Sequence, residues 1–188
     1  LIEEAYLGFS AIPGVLDKEQ TVNDIMEFVL QRMRGVMSEE QLSYDVIDAV
    51  LSLAGADMND IMQRAVAVQG FKASRYFEDF MVVFNRSHNL TKKWDSRVVN
   101  AAVMVDDSEK NLYQAVVVLR ENVVLPLKNQ RYLDVLNMLA EIRPLIDKFF
   151  DAVMVMVDDE ELKAARLGML KSISDLCNSV ADFSKVLM

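Results

Sequence analysis

Residues 145–185 read LIDKFFDAVMVMVDDEELKAARLGMLKSISDLCNSVADFSK, and this stretch decides how the chain folds. An apolar run, residues 149–157, is followed by four consecutive carboxylates, residues 158–161. Carboxylates favour the start of a helix, because they face the positive end of its dipole and accept hydrogen bonds from its free amides. Apolar residues then recur every three or four positions, which predicts one apolar stripe along a final helix. The stripe comprises Leu162, Ala165, Met169, Ile173, Leu176, Val180 and Phe183, and Arg166 lies off it.

The composition favours a packed, helical protein. Of 188 residues, 52% are hydrophobic and 26% are charged, which predicts a folded core rather than disorder. Only 6 Gly and 3 Pro are present, and this scarcity of turn-forming residues favours long helices over many short strands. We therefore predict an all-α fold, a helical bundle. The β-branched residues between 98 and 105 leave one strand open as an alternative.

Capping and helix-breaking residues predict where several helices begin and end. Helix starts are expected at Thr21, at Asp57 or Asn59, at Ser74 and at residues 106–109, a helix end at Gly55, a turn at Pro13 and Gly14, and a break at Pro144.

Charge and cysteine content limit the class of protein. The net charge is −9, which argues against a surface that binds nucleic acid everywhere but leaves room for one basic face. A single cysteine, Cys177, cannot form an internal disulfide, so we expect a reduced, largely buried thiol and a cytoplasmic protein. No segment reaches the roughly 20 apolar residues that span a bilayer, so no membrane partner is expected. Because the chain begins at Leu1 without Met, we expect a fragment of a longer polypeptide.

No arrangement of residues indicates catalysis. The sequence contains no Gly-rich phosphate loop, no CxxC pair and no HExxH motif, and its only histidine is His88. The carboxylates of residues 158–161 could hold a divalent cation, but solvated helix-start charges are the better interpretation. We therefore predict neither a catalytic residue nor a metal site.

Residues 72–97 depart from the acidic background. They contain six Lys or Arg residues against three acidic ones, a charge of +3, while the other residues carry −12. Rings are interleaved with these cations at Phe71, Tyr76, Phe77, His88 and Trp94. Cations that hold phosphates, together with rings that stack on unpaired bases, are what recognition of single-stranded RNA requires. The plainer interpretation is a helix with a solvated basic side and an aromatic core side.

Three segments resemble the β subunit of bacterial glycyl-tRNA synthetase. FFDAVMVM at residues 149–156, with the acidic pair, Arg-Leu and Val-Ala-Asp that follow it, resembles the C-terminal end of that subunit. YDVIDAVL at residues 44–51 resembles an earlier helix. NRSHNLTKK at residues 85–93 resembles a KRVxNIxKK helix end, with departures at Asn85 and Ser87. The layout of the C-terminal helices is also similar to that of arginyl-tRNA synthetase.

The resemblance implies a helical anticodon-binding-type domain at residues 71–188, preceded by a helical connecting segment at residues 1–70. It implies glycine tRNA, the α subunit and the remainder of the β subunit as partners. In that family the whole enzyme uses ATP and magnesium, and the α subunit carries the active site. We therefore expect no cofactor and no catalysis in this chain alone.

The resemblance also selects the residues expected to contact tRNA. They are Arg75, Arg86, Asn89, Lys92, Lys93 and Trp94. In this hypothesis Asn89 or Asn85 and Arg86 read cytosine edges, the two lysines hold the backbone, and Trp94 or Tyr76 stacks on a base.

Two alternatives remain open. The chain could be a helical protein-interaction module with no RNA role, or a buttress that contacts RNA only within the full complex.

Overall fold

The computed structural model describes residues 2–9, 17–53 and 57–188. Across these ranges the chain forms α-helices and two short 3₁₀ helices and no β-strand, which confirms the predicted all-α class. The helices are α1 (Ile2–Phe9), α2 (Lys18–Glu39), α3 (Tyr44–Leu51), α4 (Met58–Lys72), α5 (Phe77–Thr91), α6 (Asp107–Asn122), α7 (Val124–Lys128), α8 (Tyr132–Glu141), α9 (Arg143–Ala152) and α10 (Glu160–Asn178), with 3₁₀ turns at Ala101–Val103 and Phe183–Lys185.

The chain divides into two compact units, residues 1–42 and residues 43–188. The first contains α1 and α2. Helix α2 is capped by Asp17, so it begins before the predicted start at Thr21. The second unit contains the remaining helices and all of the predicted contact residues. The functional boundary expected between residues 70 and 71 stays a prediction.

Helices α5 and α10 pack against each other at the centre of the second unit. The buried side of α5 carries residues at alternating steps of three and four: Phe77, Phe80, Phe84, Ser87 and Thr91. The ring centroids of Phe80 and Phe84 lie 4.5 and 6.0 Å from that of Phe183, in the C-terminal 3₁₀ turn. Burial of each such ring contributes about 1.5–3 kcal/mol. The C-terminus is therefore part of the core.

Most of the predicted helix boundaries are confirmed. Asp159 caps α10 by accepting hydrogen bonds from two backbone amides at 3.0 Å, so the acidic corner is a helix start. Asp57 caps α4. The helical run is interrupted at Ile142, between α8 and α9, just before Pro144. Asp106 caps α6, which confirms the helix start predicted at residues 106–109. In contrast, α5 begins at Phe77 rather than next to Ser74, and the strand left open as an alternative at residues 98–105 does not form. The turn at Pro13 and Gly14 and the helix end at Gly55 lie outside the described residues.

A buried ion pair joins α6 to α10. Arg166 lies off the apolar stripe, yet its side chain is only 8% exposed, and that of Glu109 is 0% exposed. The Nε of Arg166 donates to Glu109 Oε2 at 2.7 Å, and Nη1 donates to the carbonyl of Met154 at 2.8 Å. Glu109 Oε1 accepts from the backbone amides of Val105 and Asp106 at 2.6 and 2.9 Å. Burial raises the pKa of Glu109, but these donors outweigh it and hold that pKa below its usual value.

Removing one residue of the buried ion pair should destabilise the fold, because the charge of the other residue would stay buried and unpaired. Arg166→Met should lower the free energy of unfolding by about 3–5 kcal/mol, because Glu109 would keep its burial and lose its counter-charge. Urea denaturation followed by circular dichroism measures this. The control is Lys163→Met, because Lys163 pairs with a solvent-exposed carboxylate on the first turn of α10 and should cost no more than about 1 kcal/mol. Equal losses in the two variants would contradict the importance of the buried pair.

Candidate nucleic-acid interface

The outer side of α5 and the residues just after it carry an exposed basic surface. Asn89, Lys92 and Lys93 are exposed there, and Lys92 caps the C-terminal end of the helix. A cation at that position is favoured by the helix dipole. Neither lysine forms an ion pair with any described residue, so both charges are available to a ligand. The structure therefore brings together three of the six predicted contact residues.

Arg75 lies at the opposite end of α5. The helix has 15 residues, and at about 1.5 Å per residue its two ends are on the order of 20 Å apart. The guanidinium of Arg75 lies 4.7 Å from the ring centroid of Tyr76 and donates a hydrogen bond to its hydroxyl. Arg75 is therefore too distant from Lys92 to contact the same nucleotide.

Arg86 is half-buried and is held by α9. Its Nη1 donates to Asp147 Oδ1 at 2.7 Å, and its guanidinium lies 5.5 Å from the ring centroid of Phe150. The second oxygen of Asp147 accepts from Arg143 at 2.8 Å. This network ties α5 to α9, so part of the guanidinium of Arg86 already has a structural role.

Trp94 is also half-buried. Its backbone amide donates to the carbonyl of Thr91 at 3.0 Å and so closes the end of α5. Its indole Nε1 is buried and finds no hydrogen-bond partner within the described part of the chain. Only part of the ring is thus available for stacking on a base.

Ser87, one of the two departures from the motif, lies in the core. It is fully buried, and its hydroxyl donates to the carbonyls of Val83 and Phe84 at 2.7 and 3.0 Å. The helix therefore satisfies a polar group at a position where the motif has an apolar residue. Asn85, the other departure, is half-buried.

The segment between α5 and α6, residues 95–106, contains one 3₁₀ turn and no α-helix and passes over α10; we call it the strap. Near its start Arg97 pairs with Asp175 of α10. Farther along, the backbone of Val98 lies against Gly168, where an added Cβ would stand 2.4 Å from the carbonyl oxygen. Only glycine allows the strap to lie this close to the helix.

Sequence reasoning missed Arg120 of α6. The structure places it with Arg97 and Tyr113 around one cavity between the strap, α6 and α10. Arg97 belongs to the basic stretch but was not among the predicted contacts. The only sequence signal for Arg120 is its spacing of seven residues from Tyr113, which places both on one face of a helix.

Cysteine burial and the placement of possible metal ligands bear on the remaining chemistry of the described residues. Burial raises the pKa of the Cys177 thiol, which confirms the expected buried cysteine and makes it a poor nucleophile. Among the described residues, no cluster of three or more His, Cys, Asp or Glu side chains is placed to hold a metal ion. None of the helices in residues 2–9, 17–53 and 57–188 has the length and apolar character to cross a membrane.

The helices that carry the basic surface match a known family. The model of the DALR anticodon binding domain matches residues 81–182, from α5 to the end of the helical core, which is more than half of the chain. The chain belongs to the DALR anticodon binding domain family. The match lies inside the segment predicted as the anticodon-binding-like domain and includes Arg86, Asn89, Lys92, Lys93 and Trp94.

Similarity over most or all of this chain extends to glycine–tRNA ligase beta subunits. The chain is 50% identical over 186 residues to the glycine–tRNA ligase beta subunit of Syntrophomonas wolfei, covering 99% of this chain and 27% of that protein. It is 35% identical over 189 residues to that of Desulforamulus reducens (100% and 27%), and 37% identical over 163 residues to that of Thermotoga neapolitana (86% and 24%). The chain spans about a quarter of the length of the curated relatives it matches. These similarities confirm the resemblance inferred from the motifs.

Replacing Gly168 with Ala tests whether the close approach of the strap to α10 matters more for stability than the higher helix propensity of alanine. Gly168→Ala should lower the free energy of unfolding by about 1–3 kcal/mol, because the new Cβ would push the strap away from α10. Thermal unfolding measures the change. Gly70→Ala is a matched control, since nothing lies within 4 Å of the Cβ it would add, and it should be neutral or stabilising by up to about 1 kcal/mol. Stabilisation by both substitutions would show that the strap does not need this close approach.

Proposed function

We propose that this chain recognises the anticodon of glycine tRNA as part of a glycine–tRNA ligase β subunit. One observation carries the proposal. In the region that matches the anticodon binding domain, Asn89, Lys92 and Lys93 are exposed, and neither lysine forms an ion pair with a described residue. We infer from the names of the relatives that the amino acid joined to the tRNA is glycine. On a chain with a net charge of −9, unpaired cations next to an amide side chain are the chemistry that suits an RNA loop.

The mechanism divides base reading from backbone binding. All glycine codons begin with GG, so their anticodons share two cytosines, whose edges offer an amino donor and ring acceptors. The amide of Asn89 can pair with such an edge, and Lys92 and Lys93 lie three and four residues farther on to hold phosphates. Arg86 is already bonded to Asp147, so its role is to position α5 and to offer its remaining donors. Trp94 stacks through the exposed part of its ring.

The other parts of the reaction lie outside this chain. Glycine activation with ATP and magnesium takes place in the cytoplasm on the α subunit, and this chain holds the tRNA together with the remainder of the β subunit. Arg75, at the far end of α5, contacts a more distant part of the tRNA or none of it.

Discrimination between anticodons tests this function directly. Filter binding should show that the 188-residue chain binds glycine tRNA more tightly than the same tRNA with its two shared cytosines replaced. A bidentate base contact contributes about 1–3 kcal/mol, which corresponds to roughly 5-fold to 150-fold in affinity. Equal affinity for the two RNAs, or binding to neither, would refute anticodon recognition by this chain.

The two lysines should act through phosphate contacts. Lys92→Glu with Lys93→Glu should weaken binding of glycine tRNA and reduce the slope of log K against log salt by roughly 1.4–1.8, because two phosphate contacts are lost. The control is Lys128→Glu with Arg131→Glu, which changes the net charge equally on an exposed region at α7 and the turn after it. Identical salt dependence of the two double variants would remove Lys92 and Lys93 from the interface.

A protein-interaction surface is the second candidate, and α2 favours it. Ile25, Phe28 and Val36 are 39%, 62% and 47% exposed, and their spacing places them on one face of that helix. Equal, weak binding of both tRNAs, combined with dependence of subunit assembly on Phe28, would favour this function over anticodon recognition.

A further inference from the structure

A small cavity of about 180 Å³ lies beneath the strap, between α6 and α10. Its floor is apolar and includes Val116 and Met169, both buried. Its polar lining consists of Arg97 from the strap, Tyr113 and Arg120 from α6, and Ser172 from α10, whose hydroxyl already donates to the carbonyl of Gly168. Two arginines and a phenol around a cavity of this size form a set of hydrogen-bond donors, which suits an anion.

The donors of this cavity are largely unused. Arg97 gives its Nε to Asp175, which leaves the forked terminal nitrogens without a hydrogen bond to the described chain. Arg120 is exposed, and neither its guanidinium nor the hydroxyl of Tyr113 pairs with any described residue. Asp175 is shared with Lys171, whose Nζ lies 2.8 Å from Oδ1. Three cations against one carboxylate give the region a charge of 3 − 1 = +2.

The cavity continues the basic surface at the end of α5. Three residues lie between Lys93 and Arg97, so the Cα atoms of these two residues are at most about 14 Å apart. Across the cavity, Tyr113 and Arg120 lie two turns apart on α6, about 10 Å along its axis. The lysines, the strap and the cavity therefore form a track on which successive phosphates of one strand can lie.

We propose that this cavity binds a phosphodiester group of the tRNA strand that also contacts Lys92 and Lys93. The guanidinium groups of Arg97 and Arg120 match the phosphate oxygens, and the hydroxyl of Tyr113 donates a further hydrogen bond. The site rests on the proposed function and extends the interface from α5 to α6. An acidic protein segment would satisfy the same donors, and the test separates that ligand from RNA.

The first measurement is the salt dependence of tRNA binding. Arg120→Gln should reduce the slope of log K against log salt by about 0.7–0.9 and weaken binding about fivefold to tenfold at 0.1 M salt. Tyr113→Phe should weaken binding by a smaller factor without changing the slope, because it removes a donor and no charge. Arg131→Gln is the matched control: it removes one exposed guanidinium at the start of α8 and should change affinity less than twofold. Circular dichroism checks that each variant folds.

The second measurement locates the phosphate. Replacement of single phosphates in the anticodon stem-loop by neutral methylphosphonates should weaken binding at one position at least as much as Arg120→Gln does. At that position the two changes should not add, since both remove the contact between Arg120 and the phosphate.

The outcomes distinguish this site from the proposed function. If Arg120→Gln behaves like Arg131→Gln while Lys92→Glu with Lys93→Glu weakens binding, the cavity does not bind RNA and anticodon recognition stands. If Arg120→Gln impairs assembly with the remainder of the synthetase and leaves RNA binding unchanged, the ligand is a protein. If glycine tRNA and its anticodon variant bind equally while Arg120→Gln still reduces the salt dependence, anticodon recognition fails and the phosphate site stands.

Discussion

The ion pair between Glu109 and Arg166 fixes the part of the molecule on which the candidate interface depends. It links α6 and α10 and, through the backbone amide of Val105, fixes the far end of the strap. Gly168, two positions after Arg166 on α10, lies against the backbone of the strap. Asp175, two turns beyond Gly168, pairs with Arg97 near the start of the strap. Three anchors on one helix therefore determine the path of a segment whose only regular structure is the 3₁₀ turn Ala101–Val103, and with it the cavity beneath that segment.

The charged side chains divide into those that hold the fold and those that face solvent unpaired. Lys72 is one of the first group: it pairs at 2.6 Å with Asp45, whose burial raises its pKa but whose hydrogen bonds from Lys72 and other donors lower that pKa to about 2. The paired Asp45 carboxylate therefore adds stability above pH 4, which is lost as pH falls towards 2. Arg86 likewise balances a carboxylate. Lys92, Lys93 and Arg120 pair with no carboxylate in the described chain. A count of charges over residues 72–97 therefore includes Lys72 and Arg86, which are paired within the fold, and leaves out Arg120.

Most helix boundaries could be predicted from residues that are close together in the sequence, whereas the buried ion pair and the cavity depend on contacts between distant residues. Asp159, Pro144 and the apolar stripe of α10 act through neighbours within a turn or two, so their effects could be predicted from the sequence. Arg166 lies 57 residues from Glu109, and nothing near it in sequence indicates that it is buried. The same limit applies to the site: the motif at residues 85–93 located the lysines, but the position of Arg120 beside Arg97 depends on how α6 packs against the strap.

The cations at the end of α5 and on α6 give an otherwise acidic protein a local basic surface. Exposed charges act over about 8–10 Å at physiological salt, so the carboxylates over the rest of the surface repel RNA that approaches elsewhere. In the proposed interface, phosphate contacts at Lys92, Lys93 and Arg120 would carry no sequence information, but they would fix the register in which a strand lies. Asn89 would then meet only the base that this register presents. Selectivity for an anticodon would thus depend on the position of the strap as much as on the side chain that touches the base, and the buried ion pair helps to fix that position.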